Sequence, residues 1–126
     1  MDDLYRDYIL EHYRRPHNFG IVEDADASFE GANPLCGDRV RIELALDGDV
    51  VTAARFTANA CAICIASSSM LTELIRGAPL EDVETLTVPE LIAQLKAEIP
   101  ASRMACVRLP LTVLHTGLLR YTRTRR

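Results

Sequence analysis

The sequence has no long apolar run and no recognisable targeting segment. No stretch approaches the roughly 20 apolar residues that a transmembrane helix needs, so no membrane association is expected. The first residues, M-D-D-L-Y-R-D-Y, are acidic and amphipathic, unlike a secretory signal or a transit peptide. These absences predict a cytoplasmic protein, in which reduced cysteines more often bind metal or take part in catalysis than form disulfides.

Basic charge and low-complexity sequence are also scarce. Lys and Arg number 14 against 18 Asp and Glu, which gives a net charge of −4 and argues against a nucleic-acid partner. The one basic cluster, residues 120–126, is predicted to be a solvated tail. With 126 residues, 48% of them hydrophobic, the chain is long enough for one domain and too short for two good cores. We therefore expect a single domain over residues 1–126.

A second closely spaced cysteine pair is missing as well. Cys61-x-x-Cys64 is the only such pair, which excludes a zinc ribbon. A redox pair of the thioredoxin type also lies after a strand at the start of a helix, so position alone does not exclude it. The thioredoxin fold needs βαβ units, however, whereas this chain has an Asp47-Gly48 hairpin signal followed by helical patterns. Cys64 is better interpreted as a small apolar residue on the inner face of a helix.

The remaining pattern predicts helices and an antiparallel hairpin. Apolar residues at helical spacing predict an N-terminal amphipathic helix, in which His12 and the following His17 are more often capping or surface residues than ligands. Alternation of polar and apolar residues predicts two strands joined by the hairpin turn, with a shorter edge strand before them. The predicted helices cover residues 2–15, 65–76, 79–86, 87–97 and a last segment from 106 or 110, and the predicted strands cover 27–30, 39–46 and 49–57.

Two predicted loops bring chemical groups to the hairpin. Antiparallel pairing places Cys36, at the start of the first long strand, near Cys61, just past the end of the second. Cys61 faces the unpaired N–H groups of the following helix, which favour a thiolate. Gly37 allows a sharp turn, so that Cys36 and Asp38 can point into one pocket. Asp38 has two other interpretations, an Asx turn or an ion pair with Arg39.

The fourth cysteine, Cys106, lies in a third segment. It follows Arg103, whose positive charge is expected to lower the pKa of the thiol. Four cysteines from three segments are more economically explained by one converging site than by four separate roles. Three thiolates and one carboxylate would form a tetrahedral set that suits zinc, or iron with bridging sulfide.

Four motifs carry a resemblance to a known family. They are N-P-L-C-G-D at 33–38, C-x-I-x-x-A-S-x-S-M at 61–70, R-x-x-C at 103–106 and the segment L-Y-R-D-Y-I-L-E-H-Y-R-R-P-H-N-F-G that begins at residue 4. Together they resemble the U-type iron–sulfur assembly proteins, which include IscU, SufU and the N-terminal domain of NifU. The resemblance implies an α+β fold, with a three-stranded antiparallel sheet and helices packed on one side. It also implies a ligand set of Cys36, Asp38, Cys61 and Cys106, with Cys106 as the sulfur acceptor.

The implied function is that of a scaffold or sulfur carrier rather than a conventional enzyme. Such a protein accepts sulfur from a cysteine desulfurase of the SufS or IscS type, and assembles a [2Fe–2S] cluster or passes it to recipient or carrier proteins. Two alternatives stay open: a zinc-dependent sulfurtransferase of the SufU type and a non-catalytic, zinc-stabilised interaction module.

The subclass stays open because the sequence combines features of two. The segment between Cys61 and Cys106 is short and lacks the insertion typical of SufU, so its length resembles IscU. Ala105, however, stands where IscU-type members carry histidine and SufU-type members usually carry lysine, and the Arg103-x-x-Cys106 motif resembles SufU.

Overall fold

The computed structural model describes the backbone of residues 2–124 and the side chains of residues 7–123. The three strands form one antiparallel sheet in the order β1-β2-β3. A short 3-10 turn, Ala101–Arg103, precedes the last helix. In chain order the elements are α1 (Asp2–Arg14), β1 (Ala27–Ala32), β2 (Arg39–Asp47), β3 (Val50–Asn59), α2 (Ala62–Ile75), α3 (Leu80–Glu84), α4 (Val88–Leu95) and α5 (Met104–Thr124).

The hairpin of β2 and β3 forms the centre of the sheet. Its alternating pattern is reflected in burial, because Val40, Ile42 and Leu44 are buried while Arg39 and Arg41 on the opposite face are exposed. Asp47 pairs with Val50, so the two-residue turn is Gly48-Asp49, one position later than the sequence predicted. Gly48 has φ +59°, a left-handed conformation that favours glycine at this turn.

Helices α2 and α5 cover one face of the sheet. Their fully buried residues, such as Leu71 and Leu114, join Ile42 and Phe56 of the sheet in one core. Helix α1 packs on α2, and α4 packs on α2 and α5. The predicted fold class, a three-stranded antiparallel sheet with helices on one side, is confirmed. Within residues 2–124, no helix is long and apolar enough to cross a membrane.

Two helices begin earlier than the sequence predicted. Helix α2 begins at Ala62 rather than Ile65, and α5 begins at Met104 with Pro110 inside it. Pro110 lacks an N–H and its ring crowds the carbonyl four residues earlier, yet the helix continues to Thr124 because it is packed against the sheet. The basic cluster is also partly helical, because α5 runs to Thr124. Residues 125–126 lie outside the described residues.

The close approach of α5 to β1 depends on Gly117. A Cβ atom at this position would lie 2.1 Å from Cγ of Phe29. Alanine favours a helix more than glycine does, yet Gly117→Ala is expected to lower the free energy of unfolding by about 1–3 kcal/mol, because the Phe29 ring must move. Urea denaturation measures this change. The neighbouring exposed Thr116→Ala is the control and should change stability little; an unchanged Gly117→Ala protein would contradict the close approach.

Buried polar contacts attach α1 and the turn after it to α2. His12 is only 5% exposed, and its Nδ1 lies 2.8 Å from Oγ of Ser69. The backbone N–H of His17 donates to the same Oγ at 2.7 Å, and the Asn18 amide donates to the Glu73 carboxylate at 2.8 Å. His12 is therefore a buried structural residue. Its partner lies 57 positions away in the chain, so no local pattern indicated it.

This burial predicts a pH dependence of stability. Desolvation, and then the positive charge of His17, hold the pKa of His12 below its ordinary value of 6.5, although Glu73 and Glu11 act in the opposite direction. The unfolded chain therefore binds the proton first, and stability present above about pH 6.5 is lost as the pH falls through the folded-state pKa. Thermal unfolding at a series of pH values should show this loss in the wild type and in His115→Gln. An undiminished loss in His12→Gln would contradict the assignment.

Candidate metal centre

The loop between β1 and β2 directs Asp38 inward and Cys36 outward. The N–H of Asn33 donates to the Asp38 carbonyl at 2.8 Å, and the Asn33 carbonyl accepts from the N–H groups of Cys36 at 3.3 Å and Gly37 at 2.8 Å. Gly37 has φ +79°, which a residue with a side chain adopts only with strain. As a result Asp38 is only 8% exposed, whereas Cys36 lies on the exposed side of the turn.

Cys61 and Cys106 lie at the starts of the two helices that cover the sheet. Cys61 is the N-cap of α2, and its carbonyl accepts from the N–H of Ile65 at 3.0 Å. Cys106 lies in the first turn of α5, which begins earlier than the predicted start at 106 or 110, and is 7% exposed. Buried Ser67 connects the two helices, because its Oγ donates to the Val107 carbonyl at 3.0 Å.

The structure brings together three of the four predicted ligands. One donor atom each of Asp38, Cys61 and Cys106 lies within 4.8 Å of the other two. This is the only such group of three or more His, Cys, Asp or Glu residues in the described part of the chain. Cys36 is not in the group, because its turn projects the thiol toward solvent.

The chemistry of the group fits a bound cation. Oδ2 of Asp38 is buried and has no hydrogen-bond partner among the described residues. A buried carboxylate oxygen without a partner is costly, and a cation beside it would remove that cost. Two sulfurs and one carboxylate oxygen are donors that zinc and iron accept. The residues present therefore fit a zinc ion or an iron–sulfur cluster.

The thiol of Cys106 behaves differently from the expectation based on Arg103. Its pKa is raised from 9.0 to about 11, and burial is the largest cause. A hydrogen bond with Cys61 and the negative charges of Cys61 and Asp38 act in the same direction. A hydrogen bond with Arg103 does lower the pKa, as the sequence suggested, but it is outweighed. The predicted net lowering is wrong for the chain without metal.

Cys64 lies in the core beside the same group. It is 0% exposed, as predicted for a residue on the inner face of its helix. Burial raises the pKa of its thiol strongly, and the charges of Asp38, Cys61 and Cys106 add to the effect. The third thiol near the centre is therefore held as a neutral, solvent-free group.

The fold and the site together define a class of protein. It is an α+β protein in which two thiols and a carboxylate, from a loop and two helix starts, form one site beside a small antiparallel sheet. The chain belongs to the NifU-like N-terminal domain family, whose profile matches residues 4–126. The family identified from the sequence motifs is thereby confirmed.

Similar proteins include members of both subclasses, SufU and IscU. The chain is 44% identical over 85 residues to the zinc-dependent sulfurtransferase SufU of Bacillus subtilis, a match of 68% of this chain and 55% of that protein. It is 34% identical over 119 residues to the iron–sulfur cluster assembly scaffold protein IscU of Aquifex aeolicus, covering 93% of this chain and 75% of that protein. The match to the nitrogen fixation protein NifU of Azotobacter chroococcum is 38% identical over 104 residues, 81% of this chain and 33% of that protein.

Solved structures share the fold. A crystal structure of a hypothetical protein has a TM-score of 0.79 and 28% identity, and the match covers 95% of this chain and 100% of that one. The N-terminal part of a NifU-like protein from Brucella abortus has a TM-score of 0.75 with 94% of both chains covered. At 22% identity, this second likeness is evidence for the fold alone.

Proposed function

We propose that the chain is a scaffold for iron–sulfur cluster assembly. It accepts sulfur from a cysteine desulfurase of the SufS or IscS type, assembles a [2Fe–2S] cluster and passes it to recipient or carrier proteins. The observation that carries this proposal is the convergence of Asp38, Cys61 and Cys106 around a buried carboxylate oxygen that lacks a partner among the described residues. Membership of the family supports it. We further propose that residues 1–126 act as a single cytoplasmic domain.

Each residue of the site has a proposed role. Cys106 attacks the outer sulfur of the desulfurase persulfide, so that this sulfur becomes bound to Cys106 and the donor thiol leaves. Cys61, Cys106 and Asp38 hold the nascent cluster, and Cys36 is the fourth ligand, supplied by the exposed turn that also carries Asp38. A bound cation would supply the positive charge that keeps these thiols deprotonated. Arg103, which hydrogen-bonds Cys106, orients the thiol.

A second candidate function is zinc-dependent sulfur transfer. The 44% identity to the sulfurtransferase SufU favours it, as does the Arg103-x-x-Cys106 motif. In this version the same four residues hold zinc, and Cys106 passes the sulfur on without building a cluster. A zinc-stabilised interaction module is a third possibility, in which Cys106 accepts no sulfur.

Anaerobic purification with metal analysis and an absorption spectrum separates these functions. Iron together with acid-labile sulfide is the result expected of a scaffold. One zinc per chain without sulfide would contradict the scaffold and favour the other two functions. Stimulation of a cysteine desulfurase by the zinc form then identifies a transferase, whereas no stimulation identifies the interaction module.

A further inference from the structure

Cys61 and Cys64 form a pair of thiols at the start of α2. Cys61 is the N-cap and Cys64 lies in the first helical turn, three positions later. An N-cap residue is extended, and its side chain turns back toward the second and third residues of its helix, which brings it near a side chain at the third position. Cys61 has this conformation, with φ −69° and ψ 166°. A thiol pair in this setting is the arrangement of C-x-x-C redox motifs.

Cys64 has no role in the proposed ligand set. It is 0% exposed, so reagents in solution do not reach it directly. Cys61 is half-buried at the site, and its sulfur lies within 4.8 Å of that of Cys106. The three thiols therefore form a series in which Cys106 neighbours Cys61, and Cys61 precedes Cys64 by one helical turn.

We propose that the Cys61–Cys64 pair reduces the sulfur accepted by Cys106 to sulfide within the site. This inference rests on the proposed function only in that Cys106 receives sulfur as a persulfide. A cluster contains sulfide, whereas the sulfur of a persulfide must gain two electrons to become sulfide. The pair would supply both electrons next to Asp38, where the cluster is proposed to form.

The proposed steps balance in atoms and electrons. First, the Cys61 thiol attacks the outer sulfur of the Cys106 persulfide; the S–S bond breaks, Cys106 leaves as a thiol, and Cys61 carries the persulfide. Second, the neutral Cys64 thiol attacks the inner sulfur, bound to Cys61, and passes its proton to the departing outer sulfur. The Cys61–Cys64 disulfide forms, and the outer sulfur leaves with two protons as hydrogen sulfide. Two thiols are oxidised and one sulfur atom is reduced by two electrons; a dithiol reductant from solution then exchanges with the disulfide through half-buried Cys61 and restores the pair.

The test starts from metal-free protein loaded with sulfur by a chemical donor. Anaerobic protein is treated with cysteine persulfide, desalted and assayed for bound sulfur by cyanolysis. It is then incubated without reductant while released sulfide is measured. We expect the wild type to release one sulfide per sulfur bound, and Cys64→Ser to release it at least ~100-fold more slowly, because an adjacent thiol acts at a high effective concentration.

The position of the disulfide is measured in the same samples. Trypsin cleaves after Arg55, Arg76, Arg103 and Arg108, so one peptide, 56–76, contains Cys61 and Cys64 while Cys106 lies in another. The proposal requires peptide 56–76 to become two hydrogens lighter as sulfide is released. Ser67→Ala, which removes another buried group of α2, is the matched control and should release sulfide as the wild type does.

Four outcomes overturn the inference, and they are distinguishable. Equal release by wild type and Cys64→Ser, or a disulfide that links the Cys106 peptide to peptide 56–76, overturns the role of the pair but leaves sulfur acceptance intact. Protein that binds no sulfur from the donor overturns the proposed function and the inference with it. Slow release in Ser67→Ala equal to that of Cys64→Ser would attribute the effect to packing of α2 and also overturn the role of the pair.

Discussion

Cys106→Ser is expected to abolish sulfur acceptance while leaving the fold intact. A serine hydroxyl cannot form a persulfide, and this residue is the buried thiol of α5 that neighbours Cys61. Because serine is close to cysteine in size, we expect a loss of stability of only about 1–3 kcal/mol from the buried hydroxyl. Mass spectrometry after incubation with a cysteine desulfurase and cysteine should show the persulfide on the wild type and not on the variant.

The control for this result is Ser102→Ala, which changes an exposed residue of the turn before α5 and keeps every thiol. It should accept sulfur as the wild type does. An adduct of equal yield on Cys106→Ser would assign the acceptor to another thiol. Urea denaturation of both variants shows whether a lost adduct reflects lost folding.

Asp38→Asn is expected to weaken metal binding and, at the same time, to stabilise the metal-free protein. The Asp38 carboxylate is buried, and its Oδ2 has no hydrogen-bond partner among the described side chains. Removing the charge should therefore raise the free energy of unfolding by about 1–3 kcal/mol without metal. The same change removes a charged ligand, so metal content should fall. Denaturation with and without metal measures both effects.

Asp49→Asn is the matched control for this charge, because Asp49 is an exposed residue of the hairpin turn. It should change neither the free energy of unfolding nor the metal content appreciably. If Asp38 only braces the turn that contains Cys36, Asp38→Asn should also resemble the wild type in metal content, and that result would remove Asp38 from the site.

The oxygen ligand also predicts how readily the site releases its contents. Zinc and iron–sulfide bind more tightly to four thiolates than to three thiolates and a carboxylate, so the carboxylate is the more exchangeable ligand. Asp38→Cys should bind metal at least as tightly and transfer cluster or sulfur more slowly. An activation free energy of transfer that is ~1.4 kcal/mol higher corresponds to a roughly tenfold slower step. Unchanged transfer rates in this variant would contradict an exchangeable role for Asp38.

The sequence predicted the elements of the fold because its patterns are local. Alternation at Val40, Ile42 and Leu44 indicated a half-buried strand, and the predicted helix from residue 87 matches α4, where Thr87 forms a capping box with Glu90. The motifs that contain the cysteines indicated the family. The hairpin predicted that Cys36 lies near Cys61, and the resemblance implied a set that also includes Asp38 and Cys106; the structure brings Asp38, Cys61 and Cys106 together.

The remaining features depend on backbone hydrogen bonds, burial and contacts that residue patterns do not specify. The backbone hydrogen bonds of Asn33 determine the direction in which the turn at Gly37 projects Cys36, and the sequence does not specify these bonds. The raised pKa of Cys106 results from burial, which a nearby arginine in the sequence did not reveal. His12 gave no signal of its buried role because Ser69 belongs to another helix.

X-ray absorption spectroscopy of the zinc-loaded protein measures the proposed ligand set. We expect three sulfur ligands at about 2.3 Å and one oxygen at about 2.0 Å, supplied by Cys36, Cys61, Cys106 and Asp38. In Asp38→Cys the oxygen should be replaced by a fourth sulfur. A zinc shell without sulfur in the wild type would contradict a metal centre at these residues.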